Sequence, residues 1–192
     1  MWLTSSRVDL VLQVGNTSGA VTGHVKTEGF KKTIDTNVMG TMYFLRALTR
    51  VMSTQEPLSI TTRYGERSLG RGSIVVLGSI NSFIPAPGML PYVTSKHAII
   101  GLVKSAAMDN LQNHIRVNSV CPAWVDTPMM QASLQRVPAL GAMIKKLSPL
   151  QRAAKPDEVA NAVLFLTSSA ASFVNGENLI VDAGTTLTVS SI

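Results

Sequence analysis

Residues 72–98 read GSIVVLGSINSFIPAPGMLPYVTSKHA, and the fold turns on how this stretch is read. Ser73 to Leu77 is a short apolar, β-branched run closed by Gly78-Ser79, which reads as a strand buried on both faces. From Tyr92 the period changes: apolar positions recur at helical spacing as far as Leu111, so a helix follows. The same alternation recurs on both sides of this unit. DLVLQV (9–14), IRVNSVC (115–121) and NLIVDAG (178–184) are predicted strands, each flanked by turn residues. Phe30 to Met52, with Ile34, Val38, Met42, Leu45 and Leu48 in phase, is a predicted helix, and so is Asp157 to Ser168. Pro156-Asp157-Glu158 opens the latter with a proline and acidic residues in its first turn, as the helix dipole favours. Buried strands separated by helices predict an α/β fold, a parallel sheet with helices on both faces.

The chain has 192 residues, 45% hydrophobic and 15% charged, enough to bury the core of a single domain. No repeat or linker divides it. Lysine and arginine exceed aspartate and glutamate by 17 − 11 = 6. The basic residues are scattered, in runs no longer than Lys31-Lys32 or Lys145-Lys146, and aromatics are few, so nucleic acid is not an expected partner. His24, His97 and His114 lie far apart without metal-ligand spacing. The single cysteine, Cys121, excludes an internal disulfide, fits a reducing cytoplasmic compartment and reads as a core filler. MWLTSSRVDLVLQV has its first basic residue at Arg7 and an apolar run broken by Asp9 and Gln13, unlike a secretory signal. No apolar stretch approaches the roughly 18 residues of a membrane span, so no membrane association is expected.

One segment stands apart. STQEPLSITTRYGERSLGRG (53–72) is polar and, at 20 residues, exceeds the usual helix-to-strand connection of about 2 to 6. It is expected as a mobile surface loop.

Three tyrosines occur, and only Tyr92 has a lysine four residues on, at Lys96. One helical turn puts the two on a single face. Ser79 lies at the carboxyl end of the preceding strand, where ligands bind in open α/β sheets. A phenol ionises near pH ~10, so making it a base at neutral pH takes about 3 units, or roughly 4 kcal/mol. An adjacent ammonium supplies part of that. The serine hydroxyl can polarise a substrate carbonyl while the tyrosine gives or takes its proton.

In this ordered series the sequence resembles the classical short-chain dehydrogenase/reductases. The matching stretches are TNVMG around Asn37, GSIVVLGSINS, PYVTSKHA, IRVNSVCPAWVDTPM and NGENLIVDAG, and the likeness runs from about Val8 to Gly184. The Ser-to-Tyr interval, 92 − 79 = 13, is the family's own. The resemblance implies an oxidoreductase, a ketoreductase type, that interconverts a carbonyl and a secondary alcohol by hydride transfer with NAD or NADP. Tyr92 would be the acid/base, Lys96 would lower its pKa and hold the nicotinamide ribose, and Ser79 would hold the substrate oxygen. Asn37 would complete the proton relay through its main-chain carbonyl at a helix irregularity. CPAWVDTP resembles the segment beneath the nicotinamide, so Pro122, Ala123, Val125 and Thr127, with Tyr92 and Lys96, would contact the cofactor. Ala123 stands where the family commonly has glycine.

Met129, Met130, Leu134, Val137, Leu140 and Met143 occupy the place of the family's substrate-covering segment. Their spacing suits either an adaptable lining for a fairly apolar carbonyl or alcohol, or the buried face of a short helix. By analogy with the family, a homodimer or homotetramer would form on the helices that include residues 37–52 and 92–113, with the tail after Gly184 joining an interface.

The family's opening strand, its T-G-x-x-x-G-x-G turn and two further β-α units have no counterpart in these residues, and Asn16-Thr17-Ser18-Gly19 matches its N-N-A-G motif poorly. The expectation is therefore a truncated Rossmann-type fold, the C-terminal portion of such a catalytic domain, with DLVLQV as an apolar sheet edge. Two functions follow from different classes: an NAD(P)-dependent oxidoreductase, or a remnant fold without cofactor binding that is inactive or serves as an assembly or regulatory partner.

Overall fold

The computed structural model describes residues 10–12 and 19–189. Four parallel strands form the sheet in the order β1 (Leu10–Leu12), β4 (Gly72–Leu77), β5 (Ile115–Pro122) and β6 (Asn178–Val181). Leu10 lies beside Ile74, Ile74 beside Val117, and Val120 beside Leu179. Helix α1 (Thr27–Ile34) runs through a π-helical turn at Asp35–Met39 into α2 (Gly40–Met52). Then come α3 (Leu90–Asp109), α4 (Pro128–Arg136), α5 (Leu140–Leu147), α6 (Pro156–Thr167) and the short α7 (Thr185–Val189).

The unbroken apolar run of β4 is explained by what covers it. Ile74 and Val76 pack on one face with Leu45 and Met52 of α2, Ile99, Val103 and Ala107 of α3, and Ile115 and Val117 of β5. Val75 points the other way and joins Val120, Val159, Val163 and Leu166 under α6. With both faces covered, neither set of alternating side chains has to be polar.

Where β6 has not yet begun, side chains replace the ladder beside β5. Asn175 Oδ1 accepts from Val117 N at 2.8 Å, and Asn118 donates to Val174 O at 3.0 Å while accepting from Glu177 N at 2.9 Å. Arg116 closes the carboxyl end of α6 by donating to Leu166 O and Ser168 O, and it also reaches Val174 O. These residues satisfy carbonyls that a helix end leaves orphaned.

Residues 53–72 differ from the expected loop. Leu58–Thr62 (β2) and Gly65–Gly70 (β3) pair as an antiparallel hairpin. Leu58, Ile60 and Thr62 are half-buried while Ser59 and Thr61 are exposed, a period-2 signal too short and polar to stand out in sequence. Gly65, at φ 102°, closes the turn after Arg63-Tyr64, a conformation that favours glycine.

The predicted helix from Phe30 to Met52 begins earlier, at Thr27, and carries the π turn in its middle. Among the described residues β1 (Leu10–Leu12) pairs with β4 alone. Residues 1–7, the rest of DLVLQV and Asn16–Ser18 of the NTSG stretch lie outside the described residues. No described helix is long and apolar enough to cross a membrane, and no described cluster of His, Cys, Asp and Glu could hold a metal.

Candidate active site

The sheet delivers its chemistry where β4 and β5 end. Past Leu77 the chain turns at Gly78 and Ser79, and Ser79 caps a 3-10 turn at Ile80–Ser82 by accepting from Asn81 N at 3.1 Å. Gly78 is required by proximity: a Cβ there would stand 2.5 Å from Cys121 Sγ. Pro91 begins α3 with a residue that needs no donor, and Tyr92 and Lys96 follow one turn apart. Their side chains converge on the strand ends.

The Tyr92 hydroxyl faces the Ser79 side chain, whose polar influence draws its pKa down. Lys96 is 4% exposed, donates from Nζ to Leu77 O at 2.9 Å and stands 5.8 Å from the centre of the Tyr92 ring. Burial lowers the Lys96 pKa to about 8, partly offset by the neighbouring Cys121 thiol group. Burial likewise raises the Tyr92 phenol above its usual value, against the pull of Ser79. Cys121 is wholly buried and held above the ordinary thiol range by desolvation, with Ser119 working in the opposite direction. The core filler expected from sequence is thus also a neighbour of the Tyr92 and Lys96 charges.

Asn37 is fully buried in the π turn. Its Nδ2 donates to Ser95 Oγ at 2.9 Å, and its main-chain carbonyl accepts from Thr41 Oγ1 at 2.7 Å. Ser79, Tyr92 and Lys96 therefore cluster at the strand ends, and Asn37 reaches the Tyr92 main chain through Ser95. Neither Ser95 nor Thr41 was marked by the sequence; an i+3 serine beside a catalytic tyrosine is indistinguishable there from an ordinary helix polar position.

The predicted cofactor strip is held as a short extra strand. Ala123 N donates to Val181 O at 3.1 Å, Val125 bridges to Ala154 in parallel, and Asp126 N donates to Ala154 O at 2.8 Å. Pro122 ends β5, and Thr127 caps α4 by accepting from Met130 N. Ala123 is not among the residues with positive φ, so alanine in the family's glycine position carries no backbone strain. Lys155 and Gln131 bind the two oxygens of Asp126 and fasten the strip to the start of α6.

Beyond it, α4 has no buried residue and α5 only Ile144. Met129, Val137 and Met143 are exposed, so this segment is not a buried helix face.

The comparisons with known proteins bear on family and fold. A family model described as enoyl-(acyl carrier protein) reductase matches residues 6–186. The short-chain dehydrogenase srdC of Neurospora crassa is 49% identical over 158 residues, covering 82% of this chain and 58% of that protein. The short-chain dehydrogenase fogB of Aspergillus ruber is 43% identical over 178 residues, covering 93% and 65%. Among solved structures, a gluconate 5-dehydrogenase from Burkholderia cenocepacia in complex with NADP and tartrate superposes with a TM-score of 0.82 at 26% identity, over 96% of this chain and 67% of that one. The chain spans less than two thirds of the length of the two curated relatives.

Proposed function

The chain belongs to the short-chain dehydrogenase/reductase family, and from that premise we propose that it is an NAD(P)-dependent oxidoreductase interconverting an apolar carbonyl and a secondary alcohol, with Tyr92 as acid/base. One observation carries the reading: the Tyr92 hydroxyl faces Ser79 and its ring centre stands 5.8 Å from the buried Lys96 ammonium, at the carboxyl ends of parallel strands. The family match favours this over a remnant that serves only in assembly.

The residues fit a nicotinamide cofactor. An ammonium carries three donors, and Lys96 gives one to Leu77 O, leaving capacity for ribose hydroxyls. Tyr92 and Lys96 would hold that ribose, and Pro122, Ala123, Val125 and Thr127 would line the ring's lower face; the Thr127 hydroxyl proton is not used by its cap. When bound, the cofactor supplies or accepts the hydride. Ser79 orients the substrate oxygen, Tyr92 Oη moves its proton, and Lys96 stabilises the phenolate that forms. At neutral pH the raised phenol is a proton donor, which suits carbonyl reduction. Asn37 supports the relay from its π turn.

Exposed Met129, Val137 and Met143 support an adaptable apolar cover for the substrate. Exposed Tyr43, Phe44 and Val51 on α2 and Met108 on α3 support a homodimer or homotetramer built on those helices.

The test compares wild type and Tyr92→Phe for NADH and NADPH oxidation across a panel of apolar aldehydes and ketones. Loss of about 10² to 10⁴ in turnover is expected. No turnover by the wild type on any member, or near-full turnover by a folded variant, overturns the proposal.

A further inference from the structure

A continuous hydrogen-bonded string runs through the interior behind the tyrosine. Thr41 Oγ1 donates to Asn37 O at 2.7 Å, Asn37 Nδ2 donates to Ser95 Oγ at 2.9 Å, and Ser95 Oγ donates to Tyr92 O at 2.7 Å. Thr41 is 2% exposed, and Asn37 and Ser95 are at 0%. The string ties the π turn of one helix to the first turns of another, and it enters α3 between Tyr92 and Lys96.

We infer that Ser95 is a positioning residue: its hydroxyl locks the first turns of α3 against the π turn and so sets where the Tyr92 hydroxyl lies against Ser79. The inference rests on the proposed acid/base role of Tyr92 for its functional meaning, though not for its geometry.

The physical case has three parts. A helix can rotate and slide by small amounts on an apolar interface, because hydrophobic contact is non-directional. Hydrogen bonds are directional and fix both position and rotation. The contact of α3 with β4 and β5 is apolar, through Ile99, Val103 and Ala107. Near Tyr92, by contrast, the tie to the neighbouring helix is the Ser95–Asn37 bond. The Ser95 hydroxyl is also bifunctional, accepting from one helix while donating to the other, and among uncharged side chains only a hydroxyl does both well from a single atom. Removing it takes one acceptor from the buried Asn37 amide and frees the Tyr92 carbonyl of its side-chain partner. The Tyr92 hydroxyl then loses its fixed approach to Ser79, and the polar influence of Ser79 that draws its pKa down is weakened while burial remains. Among the described residues, the other titratable groups bearing on Tyr92 are Lys96 on the same helix and Cys121 at the end of β5, and neither is altered by the substitution.

The experiment follows the ring ¹³C NMR signals of selectively labelled tyrosine through an alkaline titration of the chain. Tyr92 is assigned by Tyr92→Phe, and exposed Tyr43 and Tyr64 serve as controls. In Ser95→Ala the Tyr92 midpoint should rise by roughly half a unit, about a threefold change in its ionisation constant, with Tyr43 and Tyr64 unmoved. Ser95→Thr, which keeps the hydroxyl, should stay at the wild-type midpoint. Asn37→Ala should give the same rise, and the double variant no more than either single one. An unmoved Tyr92 midpoint in folded Ser95→Ala overturns the inference, as do additive shifts in the double variant. Should Ser95→Ala fail to fold, Ser95→Cys takes its place: the thiol is a poor donor, so the same rise is expected and its absence is equally decisive. The titration needs neither cofactor nor turnover. A shift without hydride transfer would sink the oxidoreductase reading alone, and turnover without a shift would sink only the role of Ser95.

Discussion

Replacing Lys96 by Met should remove a contribution to stability that rises with pH, together with a buried ammonium. Lys96 is 4% exposed and its pKa falls from 10.5 to about 8 because burial disfavours the charged form. The shift, 10.5 − 8, corresponds to a cost of about 3 kcal/mol for holding the ammonium buried at pH 7. Its sign follows from linkage: the unfolded chain binds the proton more tightly, so this cost is fully present below pH 8 and fades as pH rises toward 10.5. Between pH 7 and 9 the wild type should therefore gain roughly 1 kcal/mol relative to Lys96→Met. Comparing the two variants matters, because Cys121 and Tyr92 act in the opposite sense. Their pKa values are raised on folding, which lowers stability as pH climbs through their unfolded values. Both are common to the pair and cancel to first order. At pH 7 the Met variant relieves the buried charge but leaves Leu77 O without its donor, which returns about 1 to 3 kcal/mol. The difference at a single pH is thus small, and its pH slope is the informative quantity. Urea denaturation at pH 7, 8 and 9 reads it directly. A stability difference that stays constant over this range would refute the claim that Lys96 is held against its own desolvation.

The other predictions concern neighbouring groups. Gly78→Ala should cost about 1 to 3 kcal/mol by overpacking against Cys121 Sγ, and Cys121→Ala in the same chain should recover much of it; thermal unfolding of the two single variants and the double one checks this. Arg116→Met should cost about 1 to 3 kcal/mol by taking the guanidinium donor from Ser168 O and one of two side-chain donors from Leu166 O, which Ser73 Oγ still serves, seen as a lower urea midpoint and faster amide exchange at the end of α6. Glu158 has its pKa lowered to about 2 by Arg152 and the Lys155 backbone, so its contribution is complete above about pH 4.5 and is lost as pH falls toward 2. Glu158→Gln should flatten that part of the acid denaturation profile.

The legible parts of the protein are those whose cause is local along the chain. The strand of β4 is visible as an unbroken apolar run because both faces are covered, and α6 announces its start with Pro156, Asp157 and Glu158. Tyr92, Lys96 and Ser79 are legible because one helical turn and one strand end set their spacing. What the sequence conceals depends on partners far along the chain. Ser95 meets Asn37 across 58 positions, and Asn175 stands in for a ladder beside Val117 at the same separation. Neither pairing leaves a periodic trace, since a polar residue facing inward looks in sequence like one facing water. Residues 53–72 were obscure for another reason: the hairpin buries little, so its alternation is carried by Leu58, Ile60 and Thr62 alone. The π turn is the most instructive case. Asp, Thr, Asn and Val are weak helix formers, but weak propensity does not specify a π turn, and this one is held by bonds from Thr41 and to Ser95. Such irregular turns within helices are frequent at functional sites, and Asn37 sits at the centre of this one. The site is thus built from two kinds of residue: a reactive set fixed by short-range spacing, and a supporting set that appears only when α1, α2 and α3 are packed together.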